Sequence, residues 1–356
     1  MLKHKSILVT LFTLMVMLLL VGCGSLDTTT EDGSDADTTN DSGNAVEEQS
    51  HEFVISHLVP TSHVLHKNIA ESYVSDLEEA SNGRITGEIY PSNTLGENQY
   101  DMAATGTADI AFSVHGYTAG RFPLVSVVEL PFIADSAENG ADILWTLYQE
   151  FPELQDEHGD TTPLWLFAAE PAQILSADIP IKSVEDLNGL RVRSPSPLAN
   201  QILESFGATP VSMPMGEVYE ALQRGVVDAA MAPISTVSDF SFSDVVSYIT
   251  VGNFSLTPFF AVMNTDTYNS LSESDQELIS TIGSDYAKKA GAAFDASGAN
   301  GRKIALETEI TMIELEDLSP WEAAVDDLVE NWIKDMEDKG FPGREMYERA
   351  VELGNN

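Results

Sequence analysis

The sequence predicts an α/β protein of two lobes, built on two parallel or mixed sheets with several crossovers and a long helical region at the C-terminus. Three observations carry this expectation. Residues 53–57 read as an apolar strand. A helix follows with Leu65, Ile69, Tyr73 and Leu77 at helical spacing, then a strand in which Ile85, Gly87 and Ile89 alternate. A strand–helix–strand unit of about 40 residues implies parallel pairing. Two later stretches share one design. Gly96-Glu97 leads to Gly106-Thr-Ala-Asp109 and an apolar strand over 110–114. Gly216-Glu217 leads to Gly225-Val-Val-Asp228 and a second strand over 229–232. In both, a glycine ends a helix by accepting the left-handed conformation. Finally, 356 residues with 43% hydrophobic side chains suffice for one large two-lobed domain or two ordinary ones.

The remaining elements follow in order. Thr61-Ser62 offers an N-cap to the first helix, and Ser81-Asn-Gly83 stops it. Residues 164–167 and 173–176 read as strands. Ser183 to Gly189 is a capped turn feeding Leu190-Arg-Val-Arg193, and Pro195-Ser196 opens a helix over 198–206. Phe259-Phe-Ala-Val-Met263 is a strand. Residues 272–310 form a long amphipathic helical stretch, softened by Gly283, Gly291, Gly298 and Gly301. Residues 320–353 are helical with Trp321 and Trp332 on the apolar side. In sheets of this kind a ligand binds beyond the carboxyl ends of the strands, here in the cleft between lobes.

The chain has an N-terminal address. Lys3, His4 and Lys5 precede an apolar run over 7–21, and Leu20-Val-Gly-Cys23 follows. Residues 1–22 read as a signal peptide whose end looks like a lipobox, with cleavage before Cys23 and lipid on its thiol; an uncleaved membrane anchor is the alternative. Residues 24–50 hold eight acids, no Lys or Arg and hardly an apolar side chain. With the lipidated Cys23 they form an acidic, disordered tether over 23–50, because they cannot bury enough surface to offset ordering entropy.

Charge and cysteine content exclude several functions. The chain carries 57 Asp+Glu against 17 Lys+Arg, a net charge of −40. Nucleic-acid binding needs clustered basic side chains and is not expected. One cysteine allows neither an internal disulfide nor a four-thiolate zinc site. No Gly-x-Ser-x-Gly elbow or Gly-Lys-Ser/Thr phosphate loop stands in the sequence, and acid counts carry no catalytic signal in a chain this acidic. No enzymatic activity and no cofactor are expected. His57 and His115 end strands and therefore qualify as ligand contacts in the cleft. The rival reading is a zinc-capturing lipoprotein using His57, His63, His66 and His115 with an acid.

An ordered set of motifs then resembles a known family. It comprises Ser81-Asn-Gly-Arg-Ile85, Tyr90-Pro-Ser-Asn-Thr-Leu-Gly96, Gly106-Thr-Ala-Asp109 and Glu129-Leu-Pro-Phe132. It continues with Leu187-Asn-Gly-Leu-Arg-Val-Arg193, Phe206-Gly-Ala-Thr-Pro210, Glu217-Val-Tyr-Glu-Ala-Leu222 and Gly225-Val-Val-Asp228. In this order they resemble the solute-binding proteins of TRAP (tripartite ATP-independent periplasmic) transporters, dicarboxylate-binding type, from about Glu52 to the C-terminal helix. The resemblance implies a periplasmic-binding-protein-like fold, type II-like. Lobe I is expected over 51–172 plus 257–300, and lobe II over 173–256 plus 301–356. It also implies capture of a small organic acid anion outside the cytoplasm and delivery to membrane permease subunits, with the lipid anchor as the only membrane contact.

The resemblance assigns Arg193 to the substrate carboxylate. The chemistry agrees, since a planar guanidinium grips a carboxylate with two parallel bonds and lysine cannot. Arg191 lies two residues away, on the same face of a regular strand. Departures from the family pattern shape the expected ligand. Met231 and Ala232 precede Pro233 where sialic acid binders place a polar Glu-Asn pair. Gln173 stands for a second arginine, and Met215 aligns with a position that is often aromatic. The expected site is therefore Arg193 on one carboxylate and Gln173 as a neutral hydrogen-bonder. Met215, Met231, Phe112, Trp165 and Phe254 hold an apolar body. The ligand class that follows is a monocarboxylate with an apolar body, a keto acid or an aromatic acid.

From His51 onward the chain keeps 49 acids against 15 bases, which implies a saline or alkaline setting. Screening should relieve this repulsion, so the melting temperature is expected to rise between low and molar NaCl. A flat or falling curve contradicts the expectation.

Overall fold

The structure, a computed structural model, describes residues 49–355. The signal peptide expected over 1–22, Cys23 and nearly all of the tether lie outside the described residues. Among the described residues, eleven strands form two sheets. The strands are β1 (His51–His57), β2 (Ile85–Tyr90), β3 (Ile110–Val114), β4 (Thr161–Ala168), β5 (Ala172–Ser176) and β6 (Arg191–Ser194). They continue with β7 (Thr209–Ser212), β8 (Ala229–Pro233), β9 (Tyr248–Val251), β10 (Pro258–Asn264) and β11 (Thr311–Glu314). The first sheet runs β2-β1-β3-β10-β4 and the second β11-β9-β5-β8-β6-β7. β7, β9 and β11, absent from the sequence reading, are four residues long; Pro210 in β7 and the edge position of β7 and β11 weaken their pattern.

The doubled motif is a doubled module. β1 pairs in parallel with β2 and β3, and β6 pairs in parallel with β7 and β8. Each centre strand is fixed by the same device. Asp109 accepts from the Val54 N–H at 2.8 Å, and its own N–H donates to the Val54 carbonyl. Asp228 accepts from the Arg191 N–H at 2.9 Å and returns its N–H to the Arg191 carbonyl. Gly106 and Gly225 adopt φ 73° and 64°, as a helix-ending glycine must. Each module then meets one antiparallel strand, β10 beside β3 and β5 beside β8.

Crossover segments join the sheets, and one side chain ties two of them. Gln173 Nε2 donates to the Pro171 carbonyl at 2.8 Å and to Asn253 Oδ1 at 2.7 Å. Its Oε1 accepts from the N–H groups of Gly252 and Asn253 at 2.9 and 3.0 Å.

The helix Glu273–Glu307 is unbroken over 35 residues, so its glycines do not soften it. They are notches for close packing. A Cβ at Gly283 would lie 2.9 Å from the Leu164 carbonyl oxygen, and one at Gly291 2.6 Å from the Glu138 Cα. A Cβ at Gly301 would lie 2.3 Å from the Ile234 carbonyl oxygen. This helix therefore seats against β4 of the first sheet and against the segment leaving β8 of the second. The tail helices Ser319–Asp338 and Gly343–Gly354 bury Trp321 against Phe206 and Phe254, with ring centroids 5.0 and 4.8 Å apart.

Because backbone cannot retreat from a new side chain, Gly301→Val should cost about 1–3 kcal/mol of stability. Chemical denaturation checks this; an unchanged midpoint contradicts the notch reading.

Candidate functional site

Arg193 lies in β6 between β7 and β8, and is 1% exposed. Its Nε donates to the Met213 carbonyl at 3.0 Å, Nη1 to the Met231 carbonyl at 3.2 Å, and Nη2 to the Tyr117 hydroxyl oxygen at 3.0 Å. A guanidinium has five N–H groups, so one remains on each terminal nitrogen. Among the described residues no carboxylate pairs with it. Burial lowers its pKa and the Tyr117 hydroxyl opposes this, yet an arginine stays charged. Arg191, in contrast, is exposed and paired with Asp228 at 2.6 Å. The two arginines of the strand have different fates.

Tyr117 belongs to a short turn after β3, and so reaches Arg193 from the other sheet. Its oxygen also accepts from the Met215 N–H at 2.9 Å. With two donors on its lone pairs, the Tyr117 O–H is left to donate.

These groups border a small cavity. Leu58, Val59, Val114, Met215, Pro233, Phe240, Phe259 and Phe294 give it apolar walls, and His63, Ser235, Thr236 and Thr257 add polar points. No acid lines it. Glu170 lies behind one wall, accepts from the Ser235 N–H at 2.8 Å, and is pushed up to about 7 by burial. The site is thus a fixed positive charge at the edge of an aromatic chamber. That arrangement suits one carboxylate on a flat apolar body.

The expected residues divide. Arg193 and Met215 border the cavity. Met231 contributes its carbonyl to Arg193, while its side chain is in the core. Gln173 is spent on the crossover clamp, with both amide hydrogens and the oxygen engaged, and has nothing left for a ligand. Phe112 and Trp165 are fully buried, 5.5 Å apart, in the aromatic core of the first sheet. Phe254 is buried against Trp321.

His57 and His115 are also core residues rather than cavity lining, because buried imidazoles find each other. His57 Nδ1 accepts from the Val59 N–H at 3.3 Å, and its Nε2 donates to His66 Nδ1 at 2.8 Å. His66 Nε2 then faces Glu71 at 3.2 Å. His115 Nε2 lies 3.1 Å from His158 Nε2, whose Nδ1 donates to the Leu154 carbonyl. Burial lowers all three shifted members of these pairs, His57 and His158 to about 4 and His115 well below its usual value. Among the described residues no group of three or more His, Cys, Asp or Glu could hold a metal ion, so the zinc alternative finds no support.

The sequence reading missed Tyr117, Phe240, Phe259, Phe294 and Thr257 as cavity residues, and weighed His63 only as a metal ligand. The rule that strand ends face the cleft found the end of β3 but selected His115; the useful residue is two positions further, in the turn.

The profile described as bacterial extracellular solute-binding protein, family 7, matches residues 55–335. The chain is 27% identical over 292 residues to the ectoine-binding periplasmic protein of Halomonas elongata, covering 80% of this chain and 79% of that protein. A marine metagenome TRAP solute-binding protein, described as specific for aromatic acid ligands and solved with meta-hydroxyphenylacetate, is 31% identical. It superposes with a TM-score of 0.81 over 85% of this chain and 98% of that one. A TRAP solute-binding protein of Rhodoferax ferrireducens T118, in complex with copurified benzoate, is 28% identical, with a TM-score of 0.81 over 86% and 98%. No helix among the described residues is long and apolar enough to cross a membrane. The chain therefore belongs to bacterial extracellular solute-binding protein family 7, as a TRAP-type binding protein that serves transport outside the cytoplasm and not catalysis.

Proposed function

We propose that this protein captures a small aromatic monocarboxylate for a TRAP permease. The observation that carries this reading is Arg193: a buried cation with no acidic partner, at the edge of a cavity whose walls are largely apolar and aromatic. Leaving a buried charge unpaired is costly, and a ligand carboxylate supplies the missing counter-charge. The remaining N–H on each terminal nitrogen, with the Tyr117 O–H, makes a set of three donors for two carboxylate oxygens. Phe240, Phe259 and Phe294 take the ring. The benzoate and meta-hydroxyphenylacetate bound by two related proteins are of this size and charge.

Function then follows from the two-sheet construction. The Tyr117, Phe259 and Phe294 contacts come from elements around the first sheet, and Arg193 and Phe240 from the second. A ligand held by both favours their approach, excludes water from the ion pair, and stabilises the liganded form by mass action. That form is the one presented to the membrane subunits. Lipid on Cys23, for which Leu20-Val-Gly-Cys23 is the support, would keep the protein at the outer face of the cell membrane.

Calorimetry with benzoate tests the site. Arg193→Ala should weaken binding about 100-fold or more, and Arg193→Lys should recover little because the planar fork is lost. Tyr117→Phe should weaken it about tenfold. Folding of each variant is checked by its melting temperature. Undiminished benzoate binding by Arg193→Ala overturns the assignment.

A further inference from the structure

We propose that His63 sets the specificity of this cavity: its Nε2–H donates to a hydroxyl group carried on the ring of the ligand. The substrate class is then a hydroxylated aromatic monocarboxylate. This rests on the aromatic-acid reading above and narrows it.

The argument begins with the tautomer. His63 Nδ1 accepts from the Leu65 N–H at 3.0 Å, so the imidazole proton is on Nε2. This bond also gives the residue its place. The sequence predicts a Thr61-Ser62 cap, but it is the His63 ring that accepts a first-turn N–H of the helix beginning near Leu65. The ring is held edge-on by Phe240 and Phe294, with centroids 5.2 and 5.8 Å away. It is thereby fixed at the cavity wall, 5% exposed.

Nε2 has no hydrogen-bond partner among the described residues. The nearest carboxylate oxygen, on Asp239, stands 3.9 Å away, beyond hydrogen-bond reach. The Asp239 oxygens are already engaged by the hydroxyls of Ser297 and Ser238, at 2.9 and 3.0 Å. Burial keeps the imidazole neutral, lowering its pKa to about 3. His63 therefore presents an oriented, uncharged donor. It can meet a hydroxyl or carbonyl oxygen, but it is no second cation for a second carboxylate. Thr236 donates its hydroxyl to the Pro233 carbonyl at 2.7 Å and has no proton left to offer. Thr257 can donate or accept as its hydroxyl rotates, whereas His63 offers a donor only.

A buried donor without a partner discriminates strongly, because a ligand lacking the matching acceptor leaves it unpaired. The two polar anchors also come from different sheets. Arg193 is on β6 of the second sheet, and His63 follows β1 of the first. A hydroxy acid that meets both bridges the sheets through its own length, which its unsubstituted parent cannot do by hydrogen bonding.

The test is calorimetry on the full chain at neutral pH with matched pairs: benzoate against 3- and 4-hydroxybenzoate, and phenylacetate against 3- and 4-hydroxyphenylacetate. At least one hydroxy acid should bind about tenfold or more tightly than its parent. His63→Phe should bring that ratio close to one, and His63→Gln, which keeps an N–H donor, should retain part of it. A purely structural role for His63 would change both members of a pair alike and leave the ratio intact. Parents that bind as tightly as every hydroxy acid, or an unchanged ratio in His63→Phe, overturn the proposal. Should His63→Phe fail to fold, the ratio in His63→Gln and His63→Asn decides in the same way. Failure of every aromatic acid to bind the natural protein overturns the aromatic reading itself, and this proposal with it; binding of the parent acids separates the two failures.

Discussion

A guanidinium taken out of water without a counter-ion is the constraint around which the binding region is organised. Arg193 is buried between two parallel neighbours and satisfied in part by three oxygens, none of them charged. Removing a charge from water costs several kcal/mol unless it is paired. The chain holds 57 acids, so pairing would have been easy, and Arg191 two residues earlier does pair with Asp228. The cavity instead has no acid in its lining among the described residues. In so acidic a molecule the long-range field opposes an incoming anion, and attraction must come from short, desolvated contacts. In the proposed function, Arg193 and the Tyr117 hydroxyl supply them.

The fold delivers this arrangement by using one module twice. In each sheet an aspartate clasps the centre strand through both backbone groups of one residue, Val54 in β1 and Arg191 in β6. Two residues beyond that clasp stand Ser56 and Arg193. The same scaffold position thus carries a small neutral side chain in one sheet and the buried cation in the other. The Gln173 clamp on the crossovers and the glycine-notched helix Glu273–Glu307 then hold the two modules to one another. These joins fix backbone, while the chamber between them is lined by side chains from both sheets.

Much of this was legible in the sequence, and the boundary has a physical basis. Apolar alternation and the Gly-x-x-Asp signal located both modules, because a helix-ending glycine and a strand-clasping aspartate act locally. The fork chemistry of arginine, with the family resemblance, singled out Arg193. What failed was the choice of partners. Phe112, Trp165 and Phe254 have the same chemistry as Phe240, Phe259 and Phe294, and only three-dimensional packing separates core from wall. Gln173 is near the cleft end of its strand, but its amide matches the crossovers in four bonds, three to backbone and one to Asn253 Oδ1. The histidines misled because a buried imidazole satisfies itself with a second one, as in His57–His66 and His115–His158. Tyr117 carried no signal in a three-residue turn.

The central claim is that an unpaired buried cation selects the ligand by its charge. It is tested most directly by comparing benzoate with benzamide, a neutral compound of nearly the same shape, in thermal unfolding of the natural protein. Benzoate should raise the melting temperature in a concentration-dependent way, and benzamide should leave it unmoved at the same concentrations. Equal stabilisation by the two would mean that shape rather than charge decides binding, and would contradict the role given to Arg193.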